Sequence, residues 1–172
     1  MANNTTASAA SASTALKARI YKAPEKAEIS GRSIFLAGSI EMGAAEDWQT
    51  VMTNRIAHLP ITILNPRRPD WNNSWKQSAS DPQFREQVEW ELDQQERCDV
   101  IAMYFDPNTK APISLLELGL FAQTGRMVVC CPDGFYRKGN VELVCERAKV
   151  PLVQNLDQLI DKVIEKLTEE KA

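Results

Sequence analysis

The sequence predicts an α/β protein built on a parallel sheet that carries helices on both faces. Two observations predict it. Short apolar runs alternate along the chain with longer segments of helical spacing, the order expected of successive βαβ units. The short runs are apolar at consecutive positions, as strands are when both faces of their sheet are covered. At 172 residues the chain has one domain's length and can bury a core.

The elements follow in order. Residues 1–30 begin "MANNTTASAASASTALKARIYKAPEK", rich in Ala, Ser and Thr and without the apolar stretch of a secretory signal; they read as a disordered tail ahead of a domain over 31–172. "SIFLAG" (33–38) is a buried strand closed by glycine. "AAEDWQTVMTNRIAHL" places Trp48, Val51, Met52, Ile56 and Leu59 at helical spacing. "ITIL" (61–64) is the second strand, stopped by Asn65-Pro66. The stretch 65–82, with three prolines and two tryptophans, has no periodicity, and a loop that long in a compact domain is usually functional. A helix follows in "QFREQVEWELDQQERC", then a strand "DVIAMYF" (99–105), the apolar helix "PISLLELGLFA", a strand "MVVCC", a short helix from about Asn140 to Ala148, a weak strand "PLV" and a closing helix. That makes five strands.

Composition narrows the partner. With 44% hydrophobic residues, 25% charged and a net charge of -3, no basic surplus points to nucleic acid or to an anionic membrane, and no apolar run reaches the length of a membrane helix. A small molecule is the expected partner. Cys98, Cys130, Cys131 and Cys145 lack zinc-type spacing and read as reduced core cysteines of a cytoplasmic protein. The single histidine, His58, removes His-based zinc sites and argues against a Ser-His-Asp triad. "GSIEMG" (38–43) matches neither a dinucleotide nor a P-loop fingerprint.

In parallel sheets ligands bind beyond the carboxyl ends of the strands where strand order reverses. The loops concerned are 38–43, 65–71 and 106–112, which bring forward Gly38, Ser39, Asp70 and Trp71 as candidate substrate-binding residues. Glu117 follows the last loop, among Ile113, Leu115, Leu116, Leu118, Leu120 and Phe121. A carboxylate in such a helix either leans out to solvent or is buried for use. In the helix after residue 82 the stripe Phe84, Val88, Leu92 turns Glu91 inward and leaves Trp90 on a polar face, where an exposed Trp suits an interface. Glu91 is open to two readings, an ion pair with an arginine such as Arg67 or a partner to Glu117 with the two pKa values pushed apart.

Taken together and in this order, "IFLAGSI", "NPRRPDW", "QVEWEL", "DVIAMYF", "ISLLELGLFA" and "YRKGNVELVC" resemble the nucleoside 2-deoxyribosyltransferase family, in particular its deoxyribosyltransferase-like branch, over residues 33 to 153. The resemblance implies a flavodoxin-like (Rossmann-like) three-layer fold with a five-stranded parallel sheet. It implies base exchange between 2'-deoxynucleosides by a homo-oligomer, at least a dimer, with composite sites and no cofactor or metal. Glu117 stands where the family has its nucleophile and Glu91 where it has the acid that handles the base's proton. Asn140 matches the Asn a neighbouring subunit offers to the sugar hydroxyls. A carboxylate early in a helix is expected to be kept ionised by the helix dipole. Two positions depart from the family pattern: Phe35 replaces a Tyr that holds the nucleophile, and Ala111 replaces a polar residue. Tyr104 or Ser114 are the candidate substitutes. The alternatives are an N-glycosidase of 2'-deoxynucleoside 5'-phosphates, with Arg67, Arg68, Arg137 and Lys138 for the phosphate, and a non-catalytic nucleotide-binding module. Trp71 or Trp75 is expected to wall the base pocket, the other reading being that they pin their loop.

Overall fold

The structure is a computed structural model that describes residues 17–40, 47–70, 72 and 74–169. In it, β1 (Arg19–Lys22), β2 (Arg32–Gly38), α1 (Trp48–Ile56), β3 (Ile61–Asn65), α2 (Pro82–Arg97) and β4 (Val100–Tyr104) are followed by α3 (Pro112–Phe121), β5 (Met127–Cys130), α4 (Lys138–Ala148), β6 (Leu152–Val153) and α5 (Leu156–Thr168). The six strands form one sheet in the order β1-β3-β2-β4-β5-β6, and every pairing is parallel. Without β1 this is the doubly wound flavodoxin-like order.

Side-chain alternation along the strands divides the core into two layers. Ile34, Leu36, Val100, Ala102 and Val128 face α1 and α5, packing on Trp48, Met52, Leu159, Ile160 and Val163. Phe35, Ala37, Ile101, Met103 and Val129 face the other way and pack against Trp90, Leu118, Phe121, Val141 and Cys145 from α2, α3 and α4. Local chemistry starts the helices. The side chain of Asp47 accepts from the Thr50 amide, Asp81 accepts from the amides of Gln83 and Phe84 ahead of Pro82, and Asn155 accepts from Gln158 N, each satisfying an orphan donor of a first turn.

Three expectations change. The sheet has six strands, not five, because the sequence from Arg19 to Lys22 pairs in register with Thr62 to Asn65. This places the end of the expected 1–30 tail inside the sheet; residues 1–16 lie outside the described residues. The strand escapes notice in the sequence since it is polar, as suits a sheet edge. Trp90 is not exposed: only 8% of its surface is accessible, its Nε1 donates to the Glu25 carbonyl at 2.8 Å, and its ring meets Phe35 at 6.2 Å between centroids. The segment after β1 supplies Ala23 and Ala27 to the same core layer and covers what the isolated helix leaves open. The inward face of α2 consequently runs through Gln87, Trp90, Gln94 and Gln95, a largely polar set that a hydrophobic stripe does not report.

Trp90→Ala is therefore expected to lower the unfolding free energy by about 3–5 kcal/mol, read by urea titration of the purified protein. A loss of less than about 0.5 kcal/mol, typical of a surface change, would show that the ring is not part of the core.

Candidate active site

The strand order reverses between β2 and β4, since β3 lies on one side of β2 and β4 on the other; the crevice of such a sheet opens at their carboxyl ends. Backbone contact closes the floor. Gly38 adopts a φ of +134°, and a β-carbon there would stand 2.2 Å from the Tyr104 carbonyl oxygen, so glycine is required by the approach of the two strands. Ser39 next to it donates its amide to Tyr104 O at 2.9 Å and accepts from the Trp48 indole at 3.1 Å. Its hydroxyl lies 2.7 Å from that of Thr109 and accepts from the Asp106 amide at 3.0 Å. Gly38 and Ser39 thus build the crevice, and Ser39 ties its two loops together. Residues 41–46 of the first loop are outside the described residues.

The carboxylates stand between α2 and α3. Pro112 opens α3 after Ala111, which sits at a left-handed φ of 42°. Glu117 lies on the buried face with Ser114, Leu118 and Phe121 and is only 7% exposed, which rules out the reading that it leans into solvent. Its Oε1 accepts from Gln95 Nε2 at 2.6 Å. Glu91 accepts from Gln87 Nε2 at 2.8 Å, and the same amide nitrogen donates to the Pro66 carbonyl at 3.0 Å. Arg67, the candidate ion-pair partner of Glu91, instead reaches Asp47 at 3.4 Å.

Burial dominates the electrostatics. It pushes the Glu117 carboxyl up to about 8, with the Glu91 charge adding to the rise and the Gln95 amide opposing it. Burial likewise pushes Glu91 up to about 7 against the Gln87 amide. The expected control of Glu117 by the helix dipole does not hold. Glu117 is six positions into α3, beyond the first turn where the dipole acts, and desolvation outweighs it. The Glu91 charge thus adds to the cost of ionising Glu117, and both carboxyls keep a proton to higher pH than an exposed glutamate does.

The remaining candidates divide. Ser114 is buried one turn before Glu117 on the same helix face. Phe35 packs on Trp90, and its side chain has no polar hydrogen to offer Glu117. Tyr104 stacks on Trp48 at 5.5 Å in the opposite core layer, so it does not take the place of the missing Tyr. Asp70 is exposed and bound to Arg68 at 2.7 Å, which holds its carboxyl below the usual range. Trp71 lies outside the described residues. Arg68 also pairs with Glu86 at 3.2 Å and covers the Trp75 ring at 4.9 Å, so Trp75 pins its loop. Lys138 is held by Asp133 at 2.6 Å. Asn140 is exposed on α4 and lines a groove with Leu115, Leu118, Gly119, Arg137 and Val144, a different space from the one Glu117 faces. Among the described residues no cluster of His, Cys, Asp or Glu is placed to hold a metal ion, and no helix is long and apolar enough to cross a membrane.

Sequence reasoning missed Gln95. Its signal is spacing: Gln87, Glu91 and Gln95 recur every four residues on α2 and so share one face.

Fold and site define a doubly wound α/β protein with two carboxylates, Glu117 buried and Glu91 half-buried, between α2 and α3. The family model described as nucleoside 2-deoxyribosyltransferase like matches residues 31–135, more than half of the chain, and the chain belongs to that family, which is associated with glycosyl-transferring enzymes. Glu91 and Glu117 fall inside the match and Asn140 beyond it. The fold is similar to the crystal structure of a conserved protein from Enterococcus faecalis V583, with a TM-score of 0.56 at 12% identity over 80% of this chain and 99% of that one. Comparison with curated proteins returns no match.

The pair also sets how stability responds to pH. A carboxyl whose folded pKa lies above its ordinary 4.5 keeps a proton that the unfolded chain has released, so stability is present in full at low pH and falls as pH rises through 7 to 8. Between pH 5 and 8 the protein is expected to lose about 2 kcal/mol or more in urea titrations, and Glu91→Gln with Glu117→Gln is expected to remove most of that slope. An unchanged slope in the double variant would refute the burial of the pair.

Proposed function

We propose that the protein is a nucleoside 2-deoxyribosyltransferase that exchanges the base of 2'-deoxynucleosides through a covalent glycosyl-Glu117 ester. The observation that carries this reading is the buried Glu117 with the half-buried Glu91 acting on it in a chain of this family. The Glu117 carboxylate attacks the anomeric carbon, the bond to the base nitrogen breaks, and its electron pair takes a proton from Glu91. A second base then attacks the same carbon, gives its proton back to Glu91 and releases Glu117. The apolar surroundings of Glu117 exclude the water that would hydrolyse the ester. Ser114, Asp70 and Trp71 remain candidates for substrate contact beside the Gly38–Ser39 floor. The phosphate-dependent glycosidase is less favoured, because Arg67, Arg68 and Lys138 are engaged by carboxylates. Four free buried cysteines support a cytoplasmic setting.

Assembly belongs to the same reading. With Trp90 covered, the face that supports a homo-oligomer is that of α3 and α4, where Ile113, Leu116, Leu120, Leu143 and Val144 are exposed. These ridges flank the Asn140 groove, so one patch offers both knobs and hollow, as a self-complementary contact requires. The composite site that the family resemblance implies requires a neighbouring copy's Asn140 at the site.

Incubation with deoxyinosine, with and without adenine, tests the reaction: deoxyadenosine is expected, adenine-independent hypoxanthine would mean a hydrolase, and binding without turnover a non-catalytic module. Glu117→Gln is expected to lower turnover by about a thousandfold or more with an unchanged melting transition at pH 5; activity above about 1% of the parent would sink the nucleophile assignment. Light scattering tests the assembly. Leu116→Glu with Leu120→Glu is expected to yield monomers of much reduced turnover, and a parent protein that is monomeric yet active would refute the composite site.

A further inference from the structure

Glu117 is buried and Glu91 half-buried, and the reaction proposed above needs Glu117 held in place and able to ionise. The helix dipole does not reach Glu117, and the groups at Phe35 and Ala111 have no hydrogen to give it. The charged group acting on Glu117 is Glu91 across from α2, which works against ionisation. What faces it with a hydrogen is an amide.

We infer that Gln95 is the positioning residue of the Glu117 carboxylate, fixing it through the 2.6 Å hydrogen bond from Nε2 and favouring its charged form against the burial that opposes it. This rests on the reading of Glu117 as nucleophile and adds the residue that aims it. Gln95 is fully buried, and its backbone is anchored at the end of α2. Arg126 Nη1 donates to the carbonyls of Gln95 at 2.7 Å and Cys98 at 2.6 Å, satisfying acceptors that a helix terminus leaves open and placing a cation where the dipole favours one. A glutamine held at its backbone and enclosed at its side chain has few rotamers left. Gln87 meets Glu91 in the same way earlier on the helix, giving one amide hydrogen to Glu91 and the other to Pro66 O. A hydrogen bond given to a carboxylate favours its charged form, so this bond works against the burial that raises the Glu117 carboxyl.

The test is a 13C-carboxyl NMR titration of the free protein labelled at glutamate, with Glu117 and Glu91 assigned by their Gln variants, in the parent and in Gln95→Met, which keeps length and volume. The Glu117 midpoint is expected to rise by about one unit or more, while that of Glu91 stays or falls. The same variant is expected to lose about tenfold or more in kcat with KM within about threefold, one unit of pKa being a tenfold change in ionised fraction. Gln95→Leu serves if the Met variant does not fold. An unmoved Glu117 midpoint overturns the assignment, whatever happens to activity, since a merely structural glutamine would alter stability alone. If the midpoint moves but the parent protein turns over no nucleoside, Gln95 stands as the positioning residue and the proposed reaction falls.

Discussion

Removal of water from the Glu117 carboxylate is the constraint on which the rest of the structure depends. A charge taken out of water is costly unless it is paired, hydrogen-bonded or neutralised, and this chain uses the last two. The carboxyl takes a proton more readily than usual because of burial and Glu91, and an amide from α2 meets it. The face of α2 that packs toward the sheet is accordingly not an apolar stripe. It carries Gln87, Gln94 and Gln95 beside Trp90; Gln87 supplies hydrogens to Glu91 and the Pro66 carbonyl, and Gln95 supplies one to Glu117.

That exchange moves the burden of stability elsewhere in the same layer. Trp90 and Phe35 supply apolar area next to the glutamines, and the segment following β1 closes over them, accepting the indole hydrogen at Glu25. Arg126 clamps the end of α2 and so fixes the residue that touches Glu117. The opposite layer packs apolar side chains of α1 and α5 on the sheet, with Gln49 and Thr53 as the buried polar residues of α1, and the two carboxylates lie on the other side.

The crevice obeys a different constraint. Where β2 and β4 end side by side, the chain must approach without a side chain, hence Gly38 against Tyr104, and the loops that leave them must be joined without filling the space above. The Ser39 and Thr109 hydroxyls do this with short bonds to one another and to the Asp106 turn. These bonds tie the loops after β2 and β4 to one another at the strand ends.

Much of this was determined by the sequence alone. Consecutive apolar residues in "IFLAG", "ITIL" and "VIAMY" require covering on two faces, so the parallel sheet, its layers and the family motifs around Glu91 and Glu117 were legible, as was the tension of a glutamate in an apolar helix. The tertiary structure alone decided how that tension is resolved. Gln95 reaches Glu117 across 22 residues, and Glu25 reaches Trp90 across 65; neither contact leaves a period in the chain. Hydrophobic periodicity records which face of an element avoids water, and it is silent where a buried face is polar, as on α2, or where an edge strand is polar, as in β1. The partners of Glu91 and Glu117 were hidden for that reason, because a glutamine that faces a buried carboxylate looks in sequence like one that faces solvent.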